Sequence, residues 1–513
     1  MKRQFILHPF LCALFPVLSL FSHNVAEVPF SEIFMPSLVL LTFTALIIAL
    51  FRPIFHDTKK AAILTTAFLI LSFSYMHVYQ SADWKIVGFN IGRHRNLMPT
   101  WLILFVCCTY FLKKTNRTLS DISKILNILA LFLVIMPLAT IGFYKISTKN
   151  AAWDPYGMEE LKTDKLDLTT PDTYRDIYYI ILDRYPNAST LKKVWNFDNS
   201  DFIEYLIDKG FYVASESRSN YLKTAHSLAS SLNAQYINFL SDQIGEKSND
   251  WLPLYKLLEN YQVQRFLKKI GYKYLHFGSW WGPTSKNINA DINFKLERLP
   301  EFSFILFRTT IFFPIAVAFG MDDRREEIRN RVIYKFDTLS KIAKIEAPTF
   351  VFAHMIIPHS PYVFDKYGNF LTESKEKNRS RRNNYIDQLI FTNMKVKKLI
   401  DKILLNSKIR PIIILQSDEG TFPERYIKDG PAFNWRQASE DELEEKLGIL
   451  NAYYLPGKAK NVLYPSITPV NSFRLVFNLY FGQNLKLLPD RSYAFVDENH
   501  LYNFIDVTDK ISH

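Results

Sequence analysis

Five stretches of this chain lack Asp, Glu, Lys and Arg over roughly the length a helix needs to cross a bilayer. They are bounded by Arg3 and Glu27, Glu32 and Arg52, Lys60 and Asp83, Arg95 and Lys113, and Lys124 and Lys145, and hold 23, 19, 22, 17 and 20 residues. A spanning helix needs about 20 mostly apolar residues, because about 30 Å of hydrocarbon is crossed at about 1.5 Å per residue. Five in succession, with charged punctuation between them, predict a transmembrane domain of five helices over residues 1–146. The first reads as an uncut signal-anchor, since no small-residue cleavage site follows Leu20.

Basic residues orient these helices. With the N-terminus inside, the inner loops hold Lys2, Arg3, Arg52, Lys59, Lys60, Lys113, Lys114, Arg117 and Lys124, and the outer loops only Lys85, Arg93 and Arg95. This bias puts everything after Lys145 outside the cytoplasm. It also accounts for most of the net charge of +12, because residues 1–150 carry 14 Lys and Arg against 5 Asp and Glu. The excess therefore flanks membrane helices and argues against a nucleic-acid partner. The cysteines, Cys12, Cys107 and Cys108, fall in the same third. A disulfide framework and a cysteine zinc site are thereby excluded from the rest of the chain.

Beyond a polar linker, 147–175, apolar runs alternate with amphipathic ones over 176–513. The strand candidates are Ile177–Leu182, Phe211–Ala214, Tyr272–Phe277, Thr349–Met355, Ile412–Leu415 and Ala452–Leu455. The helix candidates include Ser200–Lys209, Ala225–Leu232, Tyr385–Leu405 and Val470–Tyr480. This alternation predicts an α/β domain, a mostly parallel sheet covered on both faces. Ligands collect at the carboxyl ends of such strands. Thr309–Met321, at 13 residues, is too short to cross a membrane and reads either as an interfacial segment or as a buried core helix.

Two strands end in acid. IYYIILD stops at Asp183, and PIIILQSDEG delivers Asp418 and Glu419 ahead of Gly420. Carboxylates at the end of an apolar strand need a compensating positive charge, and a divalent cation supplies it; a helix N-cap is the structural alternative. Between them, in SNYLKTAHSLASSLN, Thr224 precedes a run of small residues. A hydroxyl at a helix start sees exposed N–H groups that favour anionic substrates, and it reads equally as an N-cap. Ser219 and Ser227 are lesser candidates for the same part.

In this order, strand–Asp183, Thr224 opening a helix, HMIIPHSPY and then SDEG, the chain resembles the alkaline phosphatase superfamily. With a five-helix anchor ahead of the domain, it is similar to the sulfatase-like branch of lipoteichoic acid synthases and phosphoethanolamine transferases. The resemblance implies an α/β/α external domain in which Asp183 is the first acidic metal ligand and Thr224 is the nucleophile and a further ligand. Asp418 and Glu419 take the places of the family's Asp-His pair, Glu419 being a departure. It also implies that His359 contacts substrate, a loop histidine hydrogen-bonded to backbone being the structural alternative; Trp280 with Trp281 in GSWWGPTS, after a strand, reads as a pocket wall. His354, mid-strand, reads as core. After Glu419 the histidines are His500 and His513, so one metal ion is expected. An all-oxygen set of Asp183, Thr224, Asp418 and Glu419 favours Mg²⁺, Mn²⁺ or Ca²⁺ over Zn²⁺.

The activity this resemblance implies is transfer of phosphoethanolamine or phosphoglycerol from a phospholipid donor to an envelope glycan or glycolipid, at a bacterial inner membrane and on its outer face. Hydrolysis of a phosphodiester or sulfate ester by the same fold, and a non-catalytic envelope protein, are the alternatives. No C/S-x-P-x-R sequence stands near Thr224 to mature into the formylglycine a true sulfatase needs.

Overall fold

The computed structural model describes residues 5–511, apart from 82–84, 87–88, 91–92, 118, 149–170, 172, 297–298, 322–323, 346 and 458–459. Most of the expected linker thus lies outside the described residues. The chain forms two compact units, Met1–Ala151 with Leu299–Asp323, and Ala152–Arg298 with Arg324–His513.

The first unit is helical: α1 (His8–His23), α2 (Phe34–Phe55), α3 (Thr58–Ser81), α4 (His94–Lys114) and α5 (Ser120–Thr148). The last four are long and apolar enough to cross a membrane. The first apolar stretch yields only 16 helical residues, about 24 Å, and its start is capped from another helix. The Asn127 side chain on α5 accepts from the N–H groups of Leu7 and His8 at 3.0 and 2.8 Å.

Thr309–Met321 does not pack in the α/β core. Glu301–Arg308 and Phe312–Ala318 form a helical pair bent by 95° that belongs to the helical unit. At the bend, Ile311 N–H donates to Ser72 O at 2.9 Å, and Phe312 meets Phe43 and Phe68 with ring centroids 6.3 and 6.2 Å apart. Ser72 lies nine residues from the end of α3, and Phe43 nine from the start of α2. Both are about 13 Å along the helix axes from that end of the bundle, so the pair packs into the bundle, as a broken span or a re-entrant segment does, and does not lie on its end.

The second unit is built on a seven-stranded sheet. Its strands are β1 (Ile177–Leu182), β2 (Tyr212–Val213), β3 (Lys273–Phe277), β4 (Ile292–Phe294), β5 (Thr349–Met355), β6 (Ile412–Gln416) and β7 (Asn451–Tyr454), in the order β2-β7-β6-β1-β5-β3-β4. The five from β6 to β4 are parallel, and β7 runs antiparallel to both β6 and β2. β4 is exposed along most of its length, and without an apolar run it left no strand signal in the sequence. β1 is buried throughout and splits by period two, as a strand covered on both faces must. Ile177, Tyr179 and Ile181 pack on helices Thr224–Asn233 and Pro469–Phe481, while Tyr178, Ile180 and Leu182 pack on helix Arg381–Asn406. Three central strands, β1, β5 and β6, therefore deliver their carboxyl ends side by side.

Candidate metal centre

Asp183 follows β1 directly, His354 is the penultimate residue of β5, and Asp418 lies two residues past β6. In register, Ile181 stands opposite both His354 and Gln416, so the three side chains meet at one edge. Each offers a ligand atom within 4.8 Å of the others, and all three residues are buried. His354 Nε2 lies 3.7 Å from Asp183 Oδ2. Asp183 Oδ1, His354 Nε2 and both Asp418 carboxylate oxygens are buried without a hydrogen-bond partner among the described residues. Unpartnered, these acceptors are costly; a divalent cation among them satisfies all of them.

The electrostatics agree. Burial raises Asp183 to about 7, with Arg184 opposing the rise and Glu419 adding to it. Burial likewise raises Asp418 to about 8, helped by the neighbouring Asp183 and Glu419 charges and opposed by the Thr224 side chain. His354 is lowered by burial to about 4, which keeps its imidazole neutral, the form that binds metal. Its Nδ1 is held 2.9 Å from Thr284 Oγ1, which lies 2.7 Å from Ser279 Oγ. With Ser279 Oγ donating to Trp281 O at 3.2 Å, Thr284 donates on to Ser279 and accepts from Nδ1–H, the tautomer that leaves Nε2 free for a ligand.

Glu419 turns away from this cluster. Its Oε1 is 2.9 Å from Lys446 Nζ and 3.2 Å from Arg184 Nε, and its Oε2 accepts from the Thr224 backbone N–H at 3.1 Å. Burial would raise its carboxyl, but Lys446, Arg184 and Lys223 outweigh burial and hold it below the usual carboxylate range. Gly420 makes this arrangement possible. A Cβ there would stand 2.2 Å from Glu445 O, where the loop closes on helix Glu440–Leu447 and brings Lys446 beneath Glu419. Among the described His, Asp, Glu and Cys residues the clustered ligand atoms belong to Asp183, His354 and Asp418, with Glu419 outside them. An imidazole beside the carboxylates leaves Zn²⁺ open alongside the harder cations.

Thr224 opens helix Thr224–Asn233, and Glu419 clamps the helix start. Ser219 and Ser227 face inward: Ser219 Oγ donates to Asp418 O at 2.6 Å and lies 2.8 Å from Ser227 Oγ. His359 sits against Trp280, ring centroids 6.3 Å apart, and Trp281 against His354 at 6.1 Å. His500 pairs with Asp497 at 2.8 Å, and His513 lies outside the described residues.

No family model matches the chain, and no curated protein matches it in sequence. Solved structures do match. The structure matches phosphoethanolamine transferases and an alkaline phosphatase superfamily protein, at low identity. The C-terminal periplasmic domain of EcEptC from Escherichia coli, in complex with Zn, is 11% identical over 68% of this chain and 96% of that one, with a TM-score of 0.44. The integral membrane lipooligosaccharide phosphoethanolamine transferase A from Neisseria meningitidis is 12% identical, covers 92% of this chain and 94% of that one, and has a TM-score of 0.40. A Vibrio parahaemolyticus protein of the alkaline phosphatase superfamily is 10% identical over 68% of this chain and 79% of that one, with a TM-score of 0.39. Matches this distant assign no residue and no reaction to the chain.

Proposed function

We propose that this protein is a membrane-anchored, metal-dependent transferase that moves a phospho-substituent from a phospholipid to an envelope glycan or glycolipid, with its α/β unit outside the cytoplasm. One observation carries the reading: buried ligand atoms, one each from Asp183, His354 and Asp418, lie within 4.8 Å of one another, and the Thr224 side chain, at a helix start, acts on Asp418. Asp183, His354 and Asp418 would hold one divalent ion, and their mixture of one imidazole and two carboxylates suits Zn²⁺ or Mn²⁺ as well as harder cations. Such an ion, when bound, lowers the pKa of a coordinated hydroxyl and offsets charge on a phosphoryl group.

Every other part of the step falls to the chain. Glu419 anchors the Thr224 N–H and so fixes where the hydroxyl points. The Thr224 oxygen bonds to phosphorus, the bond from phosphorus to the diacylglycerol oxygen breaks, and the hydroxyl proton leaves with the diacylglycerol. The acceptor oxygen then bonds to phosphorus, the bond from phosphorus to Thr224 breaks, and the acceptor's proton passes to the Thr224 oxygen, giving ping-pong kinetics. His359 and Trp280, side by side, form the wall against which the head group rests. With water as acceptor the same steps make a hydrolase, so the product distinguishes the two.

The test is Thr224→Ala in full-length protein, supplied with labelled phosphatidylethanolamine or phosphatidylglycerol vesicles and added Zn²⁺ or Mn²⁺. Head-group release is expected to vanish while bound metal stays near one ion per chain. Undiminished release removes Thr224 from the reaction.

A further inference from the structure

Arg184, one residue past Asp183, holds more hydrogen-bonding capacity than the protein uses. Two other well-covered arginines of this unit, Arg474 and Arg325, spend their side chains on fixed acceptors. Arg474 donates from Nε to Ala234 O and from Nη1 to Lys486 O, both at 2.7 Å. Arg325 engages Leu371 O through Nε, Glu376 through Nη1 and Tyr362 O through Nη2. Arg184 uses Nε alone, on Glu419 Oε1 at 3.2 Å. Among the described residues its Nη1 and Nη2 have no partner, although the side chain is only 25% exposed.

The guanidinium is nonetheless held in place. Its central carbon sits 4.4 Å over the Phe422 ring, which Lys223 and Lys446 also face at 4.5 and 3.4 Å. The Arg184 backbone has φ +61°, a left-handed conformation that costs an L residue free energy and persists only where its surroundings enforce it. Here the Tyr385 hydroxyl donates to Arg184 O at 2.9 Å. The next residue is fastened too, Tyr185 N–H donating to Ser417 Oγ at 3.0 Å.

Charge points the same way. Lys446 sits on Glu419 at 2.9 Å and Lys223 on Glu498 at 2.6 Å, while Asp183 and Asp418 together match one divalent ion. Lys446 and Arg184 share the one Glu419 carboxylate, which leaves positive charge in excess beside Arg184. Arg184 shares that carboxylate also with the Thr224 N–H, one on each oxygen, and its charge reaches both Asp183 and His359. A fork of two unspent N–H groups beside a nucleophile is the geometry that binds two oxygens of one tetrahedral anion.

We propose that Arg184 is the anion-docking residue of this site, its Nη1 and Nη2 taking two non-bridging oxygens of the phosphoryl group presented to Thr224. The inference rests on the reading of the site as a phosphoryl-transfer centre and names the group that recognises the substrate's charge.

Inorganic phosphate is the probe, titrated calorimetrically into metal-loaded full-length protein in detergent. Arg184→Gln is expected to weaken phosphate binding by about ten- to a hundredfold, the effect of losing charge-assisted hydrogen bonds. Arg184→Lys keeps the charge without the fork and is expected to fall between. Metal content stays at the wild-type level in both, and with lipid vesicles KM rises more than kcat falls. Vesicles of phosphatidylethanolamine or phosphatidylglycerol are expected to displace phosphate from wild type, which identifies a lipid head group as occupant; displacement by a soluble phosphodiester alone identifies a free ester. Phosphate affinity unchanged in Arg184→Gln overturns the proposal, and so does loss of metal in step with phosphate, which makes Arg184 a prop of the metal centre. If wild type binds phosphate through Arg184 but releases no head group from any vesicle, the transferase reading fails and the anion site stands.

Discussion

Asp418 and Glu419 are adjacent acids at the same strand end, each 2% exposed, yet they belong to opposite halves of the site. Around Asp418, with Asp183 and His354, negative charge and lone pairs gather without protein partners. Around Glu419 the carboxylate is answered in full, by Lys446 and Arg184 on one oxygen and the Thr224 N–H on the other. The first half leaves its buried ligand atoms without hydrogen bonds. The second satisfies its carboxylate and sets the position of the helix that Thr224 opens. Burial alone therefore does not tell a ligand from a structural acid; the nearest countercharge does.

Removing one acid from each half is the strongest way to break this contrast. Glu419→Gln leaves Lys446 buried without its anion and is expected to cost about 3–5 kcal/mol of stability, with the metal retained. Asp418→Asn removes a charge that burial and Asp183 already disfavour, so the metal-free protein keeps its stability or gains, while metal binding is lost. Denaturant titration followed by tryptophan fluorescence, paired with metal analysis, reads both; similar losses in the two variants would dissolve the distinction.

Acidity sharpens it next. Asp183 and Asp418 hold protons up to about 7 and about 8, and a cation must displace them, so affinity rises with pH through this range and levels off above it. His354, at about 4, has no proton to lose there. Each displaced proton is worth about tenfold per pH unit, giving on the order of a hundredfold between pH 6 and pH 8. Titration calorimetry in buffers of different ionisation enthalpy counts the protons; a pH-independent affinity would show that the carboxylates do not bind the ion.

The smallest effect concerns the support behind His354. Thr284→Val removes the oxygen facing Nδ1 and is expected to weaken metal binding by about ten- to a hundredfold, whereas Thr284→Ser retains it. Equal metal affinity in both variants would leave Thr284 with a packing role only.

Much of the scaffold is visible along the chain. Ile177–Leu182 and Thr349–Met355 are strands over the expected spans, because buried parallel strands write themselves as apolar runs closed by a polar residue. Asp183, Asp418 and Thr224 were legible for the same reason, each standing where an element begins or ends. His354 was not, since within β5 it interrupts an apolar run and reads as core. Only the pairing of β5 with β1 carries it to the edge beside Asp183. The direction of Glu419 was hidden as well. Its countercharge, Lys446, lies in EDELEEKL, whose composition reads as a solvated helix although Lys446 is wholly buried. A lone lysine among acids, just ahead of a glycine that ends the helix, is the signal that was there to find.

The bent pair at Glu301–Ala318 carries a practical consequence for dissecting this protein. A recombinant fragment begun near residue 152 would bring the pair along but leave its packing surfaces behind. Phe302 and Leu306 would lose Val17, Phe21 and Ile141, and Phe313 would lose Tyr75 and Leu97. Such a fragment would carry a greasy, uncovered stub and self-associate. Splicing the chain across residues 299–323, rather than trimming the amino end alone, is what a water-soluble version requires.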